Sequence, residues 1–136
     1  MHERGVVLLV DDNRGIRLTM GRILGNVGYR VVVAANGSEA VDVARRQPFD
    51  VALIDFKMNG MNGAETCASL RQFNLDATLF IVTAHVSSEI ERSALADGAT
   101  GVIHKPVDVP ALLELLNELI TPTEGALVPA VGRAAG

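Results

Sequence analysis

The sequence predicts an α/β fold in which a doubly wound parallel sheet of five strands carries five helices on its two faces. Five short apolar runs alternate with five segments whose apolar residues recur at helical spacing. The runs are apolar nearly throughout, which is typical of strands covered by helices on both sides. Because connections between parallel strands are right-handed, few topologies remain. A chain of 136 residues suits a single domain.

The first predicted strand, residues 6–10, is apolar throughout and ends at the acidic pair Asp11-Asp12. A helix follows, with Asn13 suited to cap its start and Gly28 to end it. Helical spacing places five residues on its apolar face: Ile16, Met20, Ile23, Leu24 and Val27. The second strand, residues 30–34, leads through a turn at residues 36–37 into the second helix, which Pro48 ends.

The third strand, residues 51–54, is the stretch around which the chain is organised. Its four apolar residues place Asp55 at the C-terminal end of a buried strand. A glycine-rich turn follows, and a third helix then extends to about Phe73, with Asn74 suited to end it. The lone Cys67 on this helix cannot form an internal disulfide, and we interpret it as a packing residue.

The last two strands and helices repeat the pattern. Residues 78–83 are apolar up to a final hydroxyl residue, and residues 88–91 have the capping-box spacing that opens a helix, which Gly98 closes. Residues 101–104 form a short fifth strand, and Asp108 caps the last helix. We therefore expect one domain over residues 5–120. Residues 121–136 change to Ala, Gly, Pro and Val without a clear period, which predicts a largely disordered tail or linker stub.

Composition and charge argue against several kinds of protein. No stretch approaches the roughly 18 consecutive apolar residues of a membrane span, and the first four residues lack the apolar core of a signal peptide. We therefore expect a cytoplasmic protein without membrane association. The net charge is −4, with no basic run and no Trp. Direct binding of nucleic acid by this segment is accordingly not expected.

Polar residues follow four of the predicted strands: Asp11, Asp12, Asp55, Thr83 and Lys105. In a doubly wound sheet these strand ends lie along one edge, where ligand sites occur. Strict strand alternation would send Asp11 and Asp12 to opposite faces, so their convergence requires the backbone to leave strand geometry. Three close carboxylates repel one another unless one is protonated or a cation lies among them. A ligand set made only of oxygens favours Mg²⁺ or Mn²⁺. The Lys105 ammonium and the Thr83 hydroxyl suit phosphoryl oxygens, so the set as a whole predicts phosphoryl transfer onto Asp55.

The chain resembles a response-regulator receiver domain over residues 6–120. The resemblance is carried by Asp11-Asp12 after the first strand, Asp55 after the third, Thr83-Ala84 after the fourth and Lys105-Pro106 after the fifth. It implies a flavodoxin-like three-layer sandwich with strand order 2-1-3-4-5. It also implies a phosphorylation-controlled signalling switch, and not an enzyme with a separate substrate.

The resemblance assigns a role to each site residue. Asp55 would accept the phosphoryl group from a phosphohistidine of a sensor histidine kinase or phosphotransfer protein. Asp12 and Asp55 would bind Mg²⁺ directly, Asp11 largely through water, and Lys57 through its backbone carbonyl. Lys105 would pair first with Asp55 and then with the phosphoryl group, and its bond to the following proline would be cis. A homodimer through the last two helices stays open.

Two positions depart from the family pattern. Asn59 follows Met58 where the family usually has Pro, which gives a looser Asn-Gly turn. Val102 stands three residues before Lys105, where the family usually has Tyr or Phe. In the family that ring swings inward when the threonine moves toward the phosphate. We therefore expect Thr83 to move on phosphorylation, with the signal reaching the last two helices by another route or remaining small.

Other polar and surface residues keep two interpretations. His85, two residues past the threonine, and Lys57, two past the phosphoacceptor, either tune the lifetime of the phosphoryl group or belong to the solvated surface. His104 is expected to have no role. Three residues of the first helix either dock a kinase helix or are plain helix surface: Arg14, Gly15 and Leu18.

Three alternative functions are compared with the sequence. A receiver could serve as a docking module without being phosphorylated. An aspartyl-phosphate phosphatase would carry a second Asp two residues past Asp55, where this chain has Lys57. A flavodoxin-type cofactor binder would need a phosphate loop after Val10, where Asp11 and Asp12 instead repel phosphate. A nucleotide-binding P-loop is absent from the sequence.

Overall fold

The computed structural model describes residues 5–74, 76–85 and 87–120, and strands alternate with helices along them. The strands are β1 (Val6–Val10), β2 (Arg30–Ala34), β3 (Val51–Asp55), β4 (Thr78–Thr83) and β5 (Gly101–His104). The helices are α1 (Arg14–Asn26), α2 (Gly37–Arg46), α3 (Gly63–Phe73), α4 (Ser88–Ala96) and α5 (Val109–Leu119). The predicted tail at residues 121–136 lies outside the described residues.

The five strands form one parallel sheet in the order β2-β1-β3-β4-β5, which confirms the predicted fold. Strand β3 is central, and all five of its residues are buried, as its apolar sequence requires. Because every strand runs the same way, the C-terminal ends of β1, β3, β4 and β5 lie along one edge of the sheet. The residues that follow these strands therefore meet.

Alternate side chains of the strands pack into two apolar cores, one on each face of the sheet. On one face Ile54 of β3 packs with residues of the three helices α2, α3 and α4, among them Ala40, Leu70 and Ala94. On the other face Leu53 packs with residues of α1 and α5, among them Leu24, Leu112 and Leu116. This is the predicted three-layer sandwich. Each described helix is too short or too polar to cross a lipid bilayer.

Cys67 lies in the core between the sheet and α3, where it is fully buried. Burial raises the pKa of its thiol to about 12. The reactive thiolate form is therefore scarce at neutral pH, since a thiol is nucleophilic only when deprotonated. Both observations agree with the packing interpretation.

The helix boundaries agree with the predictions except at three starts. Helix α3 begins at Gly63, which the sequence had placed in the preceding turn. Helix α2 begins one residue early, because the Asn36 side chain accepts the Glu39 amide at 2.9 Å and caps the helix. The capping box predicted from Ser88 is wrong, because Ser87 is extended and its hydroxyl accepts the Ile90 amide instead. A capping box exists at the start of α3, between Asn62 and Glu65, which the sequence analysis did not identify.

Candidate functional site

Three carboxylates meet at the C-terminal edge of the sheet. One oxygen from each of Asp11, Asp12 and Asp55 lies within 4.8 Å of the other two. Asp55 ends β3 and is 6% exposed, Asp11 follows β1 and is 5% exposed, and Asp12 is exposed. The structure thus brings together the three acids that the sequence placed at this edge.

The junction between β1 and α1 explains how two consecutive acids share the site. The Asp11 amide still donates to the carbonyl of Ala34 in β2 at 3.1 Å, so the strand pairing extends to this residue. Its side chain then accepts the Asn13 amide at 2.9 Å, which turns the backbone out of strand geometry. Arg17, which the sequence analysis did not single out, donates to the Asp11 carbonyl at 2.8 Å. These bonds fix the turn from which both carboxylates project.

Lys105 is the cation of the site. Its Nζ lies 2.9 Å from Oδ1 of Asp55 and donates a hydrogen bond to it. Its backbone amide donates to the carbonyl of Thr83 at 2.8 Å, so β5 and the end of β4 hold the lysine in place. The peptide bond to Pro106 is cis, as the resemblance implied. The Lys105 side chain is 29% exposed, and the Asp55 side chain is 8% exposed.

Thr83 ends β4 and is buried at the same edge. Its Oγ1 accepts the His85 amide at 3.1 Å, so the hydroxyl oxygen is engaged by its own turn. A hydroxyl can accept one hydrogen bond and still donate another, and Thr83 therefore keeps a donor for an added ligand. Lys57 is exposed in the turn after β3 and is outside the carboxylate group. The role predicted for its backbone carbonyl stays a prediction.

Backbone hydrogen bonds fix the turn between β3 and α3, which follows Asp55. The Phe56 amide donates to the carbonyl of Val82 at 3.0 Å, and the Gly63 amide donates to the carbonyl of Phe56 at 2.9 Å. A Cβ on Gly63 would lie 2.9 Å from the Asp55 carbonyl oxygen and 2.7 Å from the Phe56 Cα. Only glycine therefore lets α3 begin this close to the backbone of the site.

Electrostatics favour a cation among the acids. Burial raises the pKa of the Asp11 carboxyl above its ordinary value of 3.8, the hydrogen bond from the Asn13 amide lowers it in part, and the nearby Asp55 raises it further. A buried carboxylate with an acidic neighbour is an incompletely compensated charge. Three carboxylates with clustered oxygens are a donor set that a hard divalent ion such as Mg²⁺ prefers. The residues present therefore fit such an ion.

An open apolar cleft of about 500 Å³ borders the site between α1 and α5. Asp55 and Lys105 lie at its polar end, and Met20 and Leu112 are among its apolar lining. Ile16, which helical spacing placed on the apolar face of α1, also lines this cleft and is 37% exposed.

The remaining predicted residues lie around this edge. His85 is exposed, and the proposed docking residues of α1, Arg14, Gly15 and Leu18, are exposed as well. Val102 is half-buried and packs against the core under α2, α3 and α4. The His104 ring is exposed, and its Nε2 lies 3.1 Å from the carbonyl oxygen of Ala84. The sequence did not predict this hydrogen bond, because the two residues are 20 positions apart.

Comparisons with known proteins agree with this geometry. The family model of the response regulator receiver domain matches residues 7–117. A response regulator receiver protein of Anaeromyxobacter sp. is 40% identical over 108 residues, which are 79% of this chain and 45% of that protein. The chain thus spans less than half of that relative's length.

Two solved structures show the same architecture. Chemotaxis protein CheY4 of Vibrio cholerae matches with a TM-score of 0.79 at 34% identity, over 84% of this chain and 97% of that one. The receiver domain of sensor histidine kinase PA1611 from Pseudomonas aeruginosa matches with a TM-score of 0.77 at 26% identity, over 87% and 98%. That receiver has a magnesium ion coordinated in its active-site cleft.

Proposed function

This chain belongs to the response regulator receiver domain family of two-component signalling, and on that premise we propose that it is a switch controlled by phosphorylation of Asp55. The observation that carries the proposal is the contact between Lys105 and Asp55, 2.9 Å long, beside the oxygens of two further acids. A nucleophilic carboxylate, an ammonium and an acidic metal-ligand set are the parts that phosphoryl transfer to aspartate needs.

The Asp55 carboxylate is the nucleophile. Lys105 engages Oδ1, which leaves the second oxygen to form the bond to phosphorus. As that bond forms, the bond from phosphorus to the nitrogen of the donor phosphohistidine breaks, and the imidazole leaves with the electron pair and takes up a proton. The Lys105 ammonium then offsets negative charge on the phosphoryl oxygens, and the remaining hydrogen of the Thr83 hydroxyl can be donated to one of them.

Asp12 and Asp55 would hold Mg²⁺ directly, with Asp11 acting mainly through water and the Lys57 carbonyl completing the protein ligands; Mn²⁺ is the second candidate. When bound, the ion supplies positive charge between the carboxylates and the incoming phosphoryl oxygens. The buried Asp11 supports this assignment, since its carboxylate lacks full compensation within the protein.

The proposed phosphodonor is a sensor histidine kinase or a phosphotransfer protein. Its docking surface on this chain is the exposed side of α1 together with the apolar cleft, where Leu18 is 54% exposed and Ile16 37%. Apolar anchors beside a groove suit an amphipathic helix. A homodimer through α4 and α5 is a second proposal, supported by the exposed side chains of Leu95 and Leu119. Residues 5–120 would be the unit that carries these activities.

Phosphorylation can be tested by mass. The protein is incubated with acetyl phosphate and Mg²⁺, and its intact mass is measured. We expect an added phosphoryl mass on the wild type that is lost in Asp55→Asn and when EDTA replaces Mg²⁺. Asp42→Asn is the matched control, because Asp42 is exposed on α2, away from the site, and this variant should gain the same mass.

The outcomes separate the alternatives. A wild type that stays unmodified, while folded, would support a docking module that is not phosphorylated. Release of phosphate from an added phosphomonoester such as para-nitrophenyl phosphate, abolished in Asp55→Asn, would support a phosphatase. Modification that persists in Asp55→Asn would show that another residue is the phosphoacceptor.

A further inference from the structure

Two contacts join the end of β4 and the turn after it to the end of β5. The Lys105 amide donates to the carbonyl of Thr83 at 2.8 Å, as a continuation of the strand pairing. The His104 ring reaches the next carbonyl, that of Ala84, at 3.1 Å. The Thr83 hydroxyl oxygen accepts the His85 amide within the same turn. The position of the hydroxyl therefore depends on a turn that the His104 ring holds against β5.

The place of His104 on β5 explains why this residue makes the contact. His104 pairs with Thr83 in the ladder between β4 and β5, so its ring lies beside the start of the turn. Val102, two residues earlier, lies on the same face of the strand, because side chains alternate. Val102 packs into the apolar core on that face, and its side chain carries no hydrogen-bonding group. His104 thus supplies a polar contact that Val102 cannot.

The hydrogen bond between His104 and Ala84 can be broken at a small cost in free energy. Both His104 and Ala84 are exposed, so water can replace either partner, and no buried polar group is left unsatisfied. The next residue, Lys105, bonds to Asp55. The last residue of β5 and the residue that follows it therefore contact the turn and the phosphoacceptor. A movement of the turn toward Asp55 would carry the Ala84 carbonyl away from the His104 ring.

We propose that His104 is a positioning residue that holds the turn after β4 in its unphosphorylated position and so opposes the approach of Thr83 to a phosphoryl group on Asp55. This inference rests on the proposed function. Coupling of this kind is reciprocal. If a phosphoryl group weakens the contact by a given factor, loss of the contact strengthens binding of a phosphoryl mimic by that same factor. For one exposed hydrogen bond that factor is about two- to fivefold.

The test compares the wild type with His104→Ala and His104→Gln. The probe is beryllofluoride with Mg²⁺, and the readout is the backbone amide signals of residues 84 and 85 in NMR titrations. His104→Ala should bind the mimic about two- to fivefold more tightly. Without any ligand, its signals at 84 and 85 should already be shifted toward their positions in the mimic-bound wild type. His104→Gln retains an N–H donor and should restore wild-type affinity, and its signals at 84 and 85 should not move toward the positions of the mimic-bound wild type.

The outcomes are distinguishable from those that test the proposed function. If the wild type binds the mimic and His104→Ala binds it equally or more weakly, the inference is wrong, and the proposed function is unaffected. The inference also fails if His104→Gln behaves like the alanine variant, because then the donor is not what matters. If the wild type does not bind the mimic, the proposed function fails. Unchanged signals at 84 and 85 in the ligand-free alanine variant would then also show that His104 does not hold the turn.

Discussion

Replacing Asp11 with asparagine should stabilise the metal-free protein at neutral pH. Asp11 is 5% exposed, and one of its carboxylate oxygens lies within 4.8 Å of an oxygen of Asp55. Asparagine has nearly the same shape and keeps an oxygen that can accept the Asn13 amide, a bond of 2.9 Å in the wild type. The substitution therefore removes one buried charge and leaves the turn intact.

The size of the effect follows from the separation of the charges. The oxygens lie within 4.8 Å of each other, and two unit charges at that limit repel by about 0.9 kcal/mol in bulk water and by about 3.5 kcal/mol at the effective dielectric of about 20 that suits protein sites. The Lys105 ammonium, 2.9 Å from Asp55, offsets part of this repulsion. We expect Asp11→Asn to raise the free energy of unfolding by about 1–2 kcal/mol, which corresponds to roughly 4 °C in melting temperature for each kcal/mol.

The pH dependence gives the prediction a second, independent readout. The pKa of Asp11 in the folded protein is raised above its ordinary value of 3.8, chiefly by burial. The folded state then binds this proton more tightly than the unfolded chain, so the stability of the wild type falls as pH rises from about 3.8 through the raised pKa. Asparagine does not titrate. Urea denaturation at a series of pH values should show that the wild type and Asp11→Asn are equally stable at the lowest pH. The difference between their stabilities should grow as pH rises through this range.

Mg²⁺ should narrow the difference in stability between the two proteins. An ion that binds only the folded state stabilises it by about 1.4 kcal/mol at ten times its Kd, and Asp11→Asn has lost one of the acids that attract it. Asp12→Asn is the matched control: Asp12 is exposed, so this variant should gain less stability without metal. If Asp11→Asn is no more stable than the wild type at neutral pH without metal, then burial and repulsion at Asp11 do not penalise the folded state as argued.

Two further substitutions test the contacts that stabilise the fold. Gly63→Ala places a methyl group 2.7 and 2.9 Å from backbone atoms at the end of β3 and the start of the following turn. In urea denaturation it should lower the free energy of unfolding by about 1–3 kcal/mol, and in titrations it should weaken Mg²⁺ binding. Gly25→Ala is the control: Gly25 has open space around it, so this variant should be neutral or stabilising in both assays. Arg71→Met removes bonds of 2.6 Å to the carbonyls of Gly98 and Ala77 and should cost about 1.5–3 kcal/mol in urea denaturation, whereas Mg²⁺ affinity should not change because these contacts lie at the opposite edge of the sheet.

The sequence predicted those features that depend on strand order and strand ends. Asp55 and Lys105 are brought together because parallel strands expose their final residues along one edge, and that rule needs only the position of each apolar run. The exposure of Ile16 was not predicted, because helical periodicity identifies an apolar face but not how far a neighbouring helix covers it. The start of α4 was missed by one residue because Ser87 and Ser88 can both cap, and backbone geometry selects the first.

The two faces of the sheet differ at the functional edge, and the turn after β4 borders both. On the face covered by α1 and α5, the apolar cleft reaches Asp55 and Lys105, and Ala84 of this turn also lines it. On the other face Val102 is packed in the core, and the His104 ring lies 3.1 Å from the carbonyl oxygen of Ala84. Lys105 connects the cleft to the end of β4, since its side chain borders the cleft and its amide donates to the carbonyl of Thr83. A phosphoryl group that draws the ammonium away from Asp55 would therefore act on the end of β4 through the backbone of Lys105.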